Sequence, residues 1–268
     1  MDRCDVLIVG GGPAGSSCAW RLVTAGLDVV VVDKANFPRD KVCAGWITPA
    51  VVRALDLDLE NYRRHRTLQP FTAFRTGPFN RDLRTTDFGD VISYGIRRCE
   101  FDEYLLARSR ARLLTGRSMP DLERAADGWV AGDLHASVVV GAGGHFCPIA
   151  RRLNGRDQQE GVVVAQEIEF RLDEETAAAC PVQNECPELF FWSDLQGYGW
   201  CVRKGDYLNV GAGRLSASGF PASVREFVAL LEARGRARAV PSRWRGHAYL
   251  LDCTSTRRVY GDRMLLVG

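Results

Sequence analysis

No stretch of this 268-residue sequence is a long apolar run. About 18 such residues in a row would be needed for a membrane-crossing helix, so none is expected. A secretory signal pattern is also missing: Asp5 leads at once into an apolar strand and a run of glycines. C-x-x-C is absent. The nine cysteines, at 4, 18, 43, 99, 147, 180, 186, 201 and 253, are scattered. An odd count without an export signal fits reduced thiols, so the expected location is cytoplasmic. The four histidines, at 65, 135, 145 and 247, have no short ligand spacing, and no metal site is expected. Charge of one sign is lacking too. The 35 Lys and Arg stand against 33 Asp and Glu, net +2, which argues neither for nor against a nucleic-acid partner. The one basic cluster, Arg234 to Arg245 with five arginines, has no stacking aromatics between them apart from Trp244. It reads as a solvated face, and no nucleic acid is expected.

What is present is concentrated between Asp5 and Asp33. Val6 to Val9 is a short buried strand. Gly10, Gly12 and Gly15 follow as G-x-G-x-x-G: a tight turn, a close approach for a pyrophosphate, and close packing of helix on strand. The helix is expected over Ala14 to Ala25, with an apolar stripe at Ala14, Cys18, Ala19, Leu22 and Ala25, and Gly26 ends it. Its mouth, at Pro13 and Ala14, offers orphan N–H groups and the positive end of the helix dipole to two phosphates. Val29 to Val32 is the next strand. Asp33 stands 23 residues beyond Gly10, where a ribose hydroxyl needs an acceptor. Together these predict a dinucleotide-binding unit.

Lys34 to Trp46 reads as a long loop around Pro38, and Arg39 and Lys41 are in reach of phosphate or adenosine. Cys43, Ala44 and Gly45 are small enough for a flat ring to approach closely, or Cys43 is a buried structural cysteine. A helix is expected from Pro49 to Leu55, and strands at Phe71 to Arg75, Leu83 to Thr86 and Val91 to Ile96. Arg97 to Asp102 then leads into a helix running to about Leu114. Trp129-Val130 and Leu134 to Val140 form a hairpin, and the latter runs into a second glycine cluster, Gly141 to Gly144. Beyond Arg151 to Leu153 the texture becomes that of an antiparallel sheet. Val162 to Leu172, Leu189 to Ser193 and Gly197 to Val202 read as strands, and Tyr207 to Gly211 pairs back through Lys204-Gly205-Asp206. An amphipathic helix covers Ser223 to Ala233. Tyr198 and Trp200, flanked by glycines, suit the lining of a flat apolar cavity or plain sheet core. Met264 to Val267 is an apolar strand of the kind usually found at a sheet centre.

These pieces resemble the FAD-dependent geranylgeranyl reductase family, within the class that includes aromatic hydroxylases and flavin-dependent halogenases. The resemblance rests on Gly10, Gly12, Gly15 and Asp33, on Pro38 to Gly45, and on Arg98 to Asp102. It rests also on Gly143 to Arg151, on Tyr198 to Lys204, and on Gly211 to Gly213. Many relatives have glycine in place of Ala44, and usually Phe-Pro in place of Val202-Arg203. The resemblance implies an α/β fold: a Rossmann-like FAD-binding domain of the GR2 type, like p-hydroxybenzoate hydroxylase, with a mainly antiparallel substrate domain. The expected division is 1–57, 91–155 and 255–268 for FAD, and 58–90 and 156–254 for substrate. By the same resemblance, Gly10, Gly12, Pro13, Ala14, Gly15, Asp33, Lys34, Arg39, Cys43, Ala44, Gly45, Arg98 and Gly143 surround FAD. Cys43 is the catalytic candidate near the flavin ring, and Tyr198 and Trp200 line a lipid pocket.

The implied reaction is reduction of an isoprenoid carbon–carbon double bond, with hydride from reduced flavin. NAD(P)H or a ferredoxin-like protein would be the electron donor. The lipid substrate leaves room for a peripheral membrane contact, although no amphipathic anchor stands out. The rivals are a monooxygenase or halogenase of the same fold and an inactive flavoprotein fragment. Against the former stand the missing Trp-x-Trp segment and the Gly143-Gly144 pair where a hydroxylase has Asp-Gly. For the latter stands the end of the sequence at Gly268, where the family's third FAD motif would continue into an acid and a helix. On that ground the chain is expected to be truncated.

Overall fold

The computed structural model describes residues 1–155, 161–237, 240–251 and 257–268. The chain divides into two compact units. One is Met1–Asp40, Cys99–Glu160 and Asp252–Gly268; the other is Lys41–Arg98 and Gly161–Leu251. Residues 41–57 and 91–98, expected in the first unit, lie in the second. Their strands Trp46–Ile47 and Ser93–Ile96 pair with each other, and the latter also pairs with Leu68–Phe71 in a three-stranded sheet.

The first unit is built on a sheet whose central strand is Asp2–Val9. It lies parallel to Val29–Asp33 on one side and to Leu134–Gly141 on the other. Arg112–Thr115 continues one edge, and Met264–Leu266 the other, both parallel. The hairpin Trp129–Ala131 with Leu134–Gly141 forms as expected. Central strands of such a sheet are covered on both faces, which is why they read as unbroken apolar runs. Val6, Ile8, Val29 and Val31 face Ala19 of the helix Pro13–Thr24. Leu7, Val9, Val30 and Val32 pack on the opposite side with Trp129, Ile149 and Met264. The helix after the second unit's first portion is shorter than expected. It spans Arg98–Arg108, and Leu113 and Leu114 belong to the edge strand. Arg110 adopts a left-handed φ of +57°. Ser109 Oγ accepts the Ala111 amide, and together these turn the chain out of the helix.

The second unit is a seven-stranded sheet in the order Arg245–Leu251, Gly161–Arg171, Tyr207–Arg214, Gly197–Lys204, Glu188–Phe191, Ala73–Pro78 and Arg84–Asp87. Every pairing is antiparallel except Glu188–Phe191 with Ala73–Pro78. Strand alternation sorts its two faces. Cys201, Leu208, Val210 and Phe190 pack under the helix Phe220–Ala233, chiefly against Phe227. Trp200, Val202 and Ala165 turn the other way, toward Val42 and Phe71. The arginine cluster after this helix is not simply a solvated face. Arg236 Nε lies 2.9 Å from the buried Glu188, which Arg75 meets at 2.8 Å from its other oxygen. A carboxylate on an interior strand needs such counter-charges. Arg238 lies outside the described residues. Among the described residues no helix is long and apolar enough to cross a membrane.

Candidate functional site

The first unit offers a shaped backbone turn. Gly10 has φ +114°, and a Cβ there would stand 2.5 Å from the Ala142 carbonyl oxygen. At Gly15 a Cβ would stand 1.8 Å from the Gly10 oxygen, so the helix rides directly on the turn. Gly12 differs: a Cβ there meets only Arg39 Nη2, at 3.5 Å. Gly12 is the N-cap of Pro13–Thr24, with no capping side chain and no acid in the first turn. The orphan N–H groups and the dipole therefore act on the space beside Gly12. Gly143 packs against the same turn, its nitrogen 2.8 Å from a Cβ placed on Gly10. Gly268 reaches it too, since a Cβ there would stand 2.7 Å from that of Ala14.

Two side chains complete this site. Asp33 accepts the Gly11 amide at 2.7 Å and the Ala35 amide at 2.8 Å, one on each oxygen. An ionised carboxylate has about four acceptor positions, so capacity remains for a hydroxyl. Arg39 lies over the Phe37 ring, 4.9 Å from its centroid. Its Nη1 stands 3.0 Å from Oδ2 of Asp102, whose side chain is fully buried. That Nη1 makes no hydrogen bond among the described residues, so Asp102 acts as a counter-charge without aligning the fork. A helix mouth with room at Gly12, a cation beside it and an acid at the next strand end fits the paired phosphates and ribose of FAD. Lys34, next to Asp33, is exposed.

The second unit holds a different arrangement around Cys43 to Gly45. Here a loop backbone is held by side chains from the sheet. Glu167 Oε2 accepts the Cys43 amide at 2.7 Å, and Asn209 Nδ2 donates to the Cys43 carbonyl at 3.3 Å. Lys204 Nζ donates to the carbonyls of Ala44 at 3.1 Å and Ile96 at 3.0 Å. The Tyr249 hydroxyl donates to the Val42 carbonyl. Gly45 has φ +70°, and a Cβ would meet the Ile96 oxygen at 2.3 Å, which fixes glycine at this place. The Gly45 amide meets the Cys43 sulfur at 3.4 Å.

Beneath the loop lies a buried ionic network. Lys204 Nζ is 2.5 Å from Glu169 Oε1, and Arg97 Nε is 3.1 Å from its Oε2. Among the described residues Glu167 has no such cation as a partner. Burial pushes its carboxyl up to about 7, more than the Cys43 and Asn209 hydrogen bonds pull it down. Burial also raises the phenols of Tyr198 and Tyr249, and the facing Cys43 thiol adds to both.

Beside this loop opens an apolar pocket of about 470 Å³. Cys43, Gly45 and Trp46 form one wall; Tyr198, Trp200 and Tyr249 form another. Trp200 lies flat across Gly211, where a Cβ would be 2.1 Å from its ring, and its Nε1 donates to Asn209 Oδ1 at 2.7 Å. Tyr198 is 39% exposed at the rim, with Leu195 and Leu215 beside it.

The expected site residues thus fall into two groups. Gly10, Gly12, Pro13, Ala14, Gly15, Asp33, Arg39 and Gly143 gather in the first unit. Cys43, Ala44, Gly45, Tyr198 and Trp200 line one pocket in the second. Arg98 opens the helix Arg98–Arg108 and lies near enough to Tyr249 to act on its charge. Asp102, Glu167, Glu169, Lys204, Asn209 and Tyr249 were not singled out as site residues from sequence. The run Gln166-Glu167-Ile168-Glu169 inside an apolar strand was the one visible signal. Among the described residues no group of three His, Cys, Asp or Glu could hold a metal ion.

Residues 5–85 match the family described as FAD dependent oxidoreductase. A menaquinone reductase of Mycobacterium tuberculosis is 31% identical over 248 residues, covering 83% of this chain and 58% of that protein. A digeranylgeranylglycerophospholipid reductase of Methanothrix thermoacetophila is 28% identical over 247 residues, covering 84% of this chain and 61% of that protein. The chain thus spans less than two thirds of either relative's length. Among solved structures, a geranylgeranyl bacteriochlorophyll reductase-like protein of Thermoplasma acidophilum superimposes with a TM-score of 0.81 at 17% identity. That match covers 99% of this chain and 70% of the other. The fold is therefore the α/β flavoprotein fold, with a Rossmann-like FAD-binding region and a separate, mostly antiparallel sheet.

Proposed function

We propose that this chain carries the FAD-holding turn and the substrate pocket of an FAD-dependent reductase acting on an isoprenoid or prenylated quinone. The observation that carries the reading is the pocket of about 470 Å³, walled by Trp46, Tyr198, Trp200 and Tyr249 with Cys43 at its side. Its size suits a small-molecule ligand, and its aromatic walls suit a flat ring or a polyene chain. The likeness to a menaquinone reductase and to a prenyl-lipid reductase supports that substrate class.

FAD, when bound, supplies the hydride chemistry. The chain's own residues bind and shield. The helix mouth and Arg39 receive the paired phosphates, and Asp33 accepts from a ribose hydroxyl. Trp200, pinned by Asn209, gives the pocket a rigid apolar wall. Tyr198 keeps its phenolic proton at neutral pH, as an ordinary phenol does, and burial raises its pKa further. It and the Cys43 thiol are two protic groups of the pocket wall, alongside Gln196 and Arg214 in the same lining, that can face a bound alkene or quinone oxygen. Tyr249 is engaged with the Val42 carbonyl.

The test is binding to the purified chain of menadione and of geranylgeraniol, read as quenching of tryptophan fluorescence, alongside the flavin absorbance spectrum. Gly213→Leu should weaken both ligands about tenfold, about 1.4 kcal/mol. A Cβ at Gly213 meets Val163 at 3.6 Å, ordinary contact, so the sheet tolerates the change while the pocket shrinks. Unchanged affinity in Gly213→Leu would overturn the pocket assignment.

A further inference from the structure

Two carboxylates, Glu167 and Glu188, are buried on the second unit's sheet and a third, Glu169, is partly buried; one of the three is treated unlike the others. Glu188 is clasped by Arg75 and Arg236. Glu169 is clasped by Lys204 and Arg97. Glu167, 6% exposed, receives only the Cys43 amide and a long contact from Asn209 Nδ2 at 3.4 Å. Among the described residues no cation stands within ion-pair distance of it. A sheet able to supply paired cations to two carboxylates has left the third facing a loop amide. That amide belongs to the residue at the pocket wall.

We propose that Glu167 is a positioning residue whose charge state sets how firmly the Cys43–Gly45 wall of the pocket is held. The proposal rests on the pocket reading above for its link to ligand, and on geometry alone for its link to the loop. As a carboxylate, Glu167 makes a charge-assisted bond to the Cys43 amide; once protonated, it offers a neutral carbonyl, a weaker acceptor. The groups that face it are Cys43 from the loop, Asn209 from the neighbouring strand, and Tyr249 from the strand on its other side, where Arg245 is its cross-strand pair and His247, bonded to Lys41 of the loop, packs on Tyr249. Glu169 and Lys204 act from further along the network. Burial brings the change of state to about pH 7. The Cys43 carbonyl stays with Asn209 and the Ala44 carbonyl with Lys204 in both states, so the loop loosens at one amide without unfolding.

Amide hydrogen exchange at Cys43 in the full chain tests this directly. After correction for the intrinsic rate, protection at Cys43 should rise about fivefold from pH 6 to pH 8, the difference between a neutral and a charge-assisted bond. Glu167→Gln keeps size and an acceptor oxygen, so its protection should not vary with pH. Glu167→Ala should lose protection at every pH. Should Glu167→Ala fail to fold, Glu167→Gln decides. A pH step that persists in Glu167→Gln overturns the proposal, as does a flat profile in the parent chain. Menadione affinity, read by tryptophan quenching, should follow the same step and lose it in Glu167→Gln. An exchange step without menadione binding would sink the quinone reading and leave Glu167 in its role. Menadione binding without an exchange step would do the reverse.

Discussion

The glycine turn of the first unit and the Cys43 loop of the second solve the same physical problem by opposite means. Each presents a bent stretch of backbone whose polar groups need partners. At the glycine turn the solution is almost entirely main chain: Gly10 and Gly15 pack without side chains, and the N-terminal amides are left open for a ligand. At the Cys43 loop the solution is side chain. Glu167, Lys204, Asn209 and Tyr249 each take one backbone group, and little is left for an outside partner. An unfilled set of donors points to a ligand that binds the backbone itself. A filled set points to a wall whose shape matters.

The comparison breaks most sharply at the glycines. Gly15→Val should cost the first unit roughly 4 kcal/mol or more, because its Cβ has nowhere to go; urea unfolding measures this. Gly12→Val sharpens the contrast. It should change stability by less than about 1 kcal/mol yet abolish FAD uptake, since the space it enters belongs to the phosphates. Equal flavin stoichiometry in Gly12→Val and the parent would mean that the turn is structural only. In the other region, Lys204→Met should cost about 3 kcal/mol in urea unfolding. It leaves Glu169 with Arg97 as its one ion-pair partner among the described residues and frees the Ala44 and Ile96 carbonyls. Should Lys204→Met match the parent, the side-chain cradle is not what holds the loop.

The most gradual of these effects is a pH slope. Glu167 carries a pKa raised from 4.5 to about 7, so the folded chain binds more protons than the unfolded chain between those values. Its contribution to stability therefore falls as pH rises through that window and is level above it. The total change is on the order of 3 kcal/mol. Glu167→Gln should gain on the parent by that amount between pH 4.5 and pH 8, measured by urea unfolding at each pH. Parallel pH profiles for the two proteins would refute the raised value.

The two regions were not equally legible. The strand, turn, helix and acid from Asp5 to Asp33 were readable because each depends on neighbours within one supersecondary unit. Arg39 was a candidate from its position, but its counter-charge Asp102 lies on a helix 63 residues further along, beyond any local pattern. Cys43, Ala44 and Gly45 stand out in the sequence only as small residues. What holds them was hidden, because Lys204 reads as a turn residue before Gly205 and Glu167 as one polar position in a half-alternating strand. The helix ends at Arg108, short of the expected limit, for a similar reason. Nothing local ends the helical pattern of Phe101, Tyr104, Leu105 and Arg108 before Leu114, but the edge position beside Val31 and Val32 pulls Leu113 and Leu114 into strand.

By itself the sequence determined the dinucleotide turn, since tight packing of a helix on a strand demands glycine at fixed spacing whatever surrounds it. Only the tertiary structure decided the cradle under Cys43. Its members at 167, 204, 209 and 249 meet the loop only once three antiparallel strand pairings are in register. A one-residue slip in any of them would turn those side chains to the opposite face.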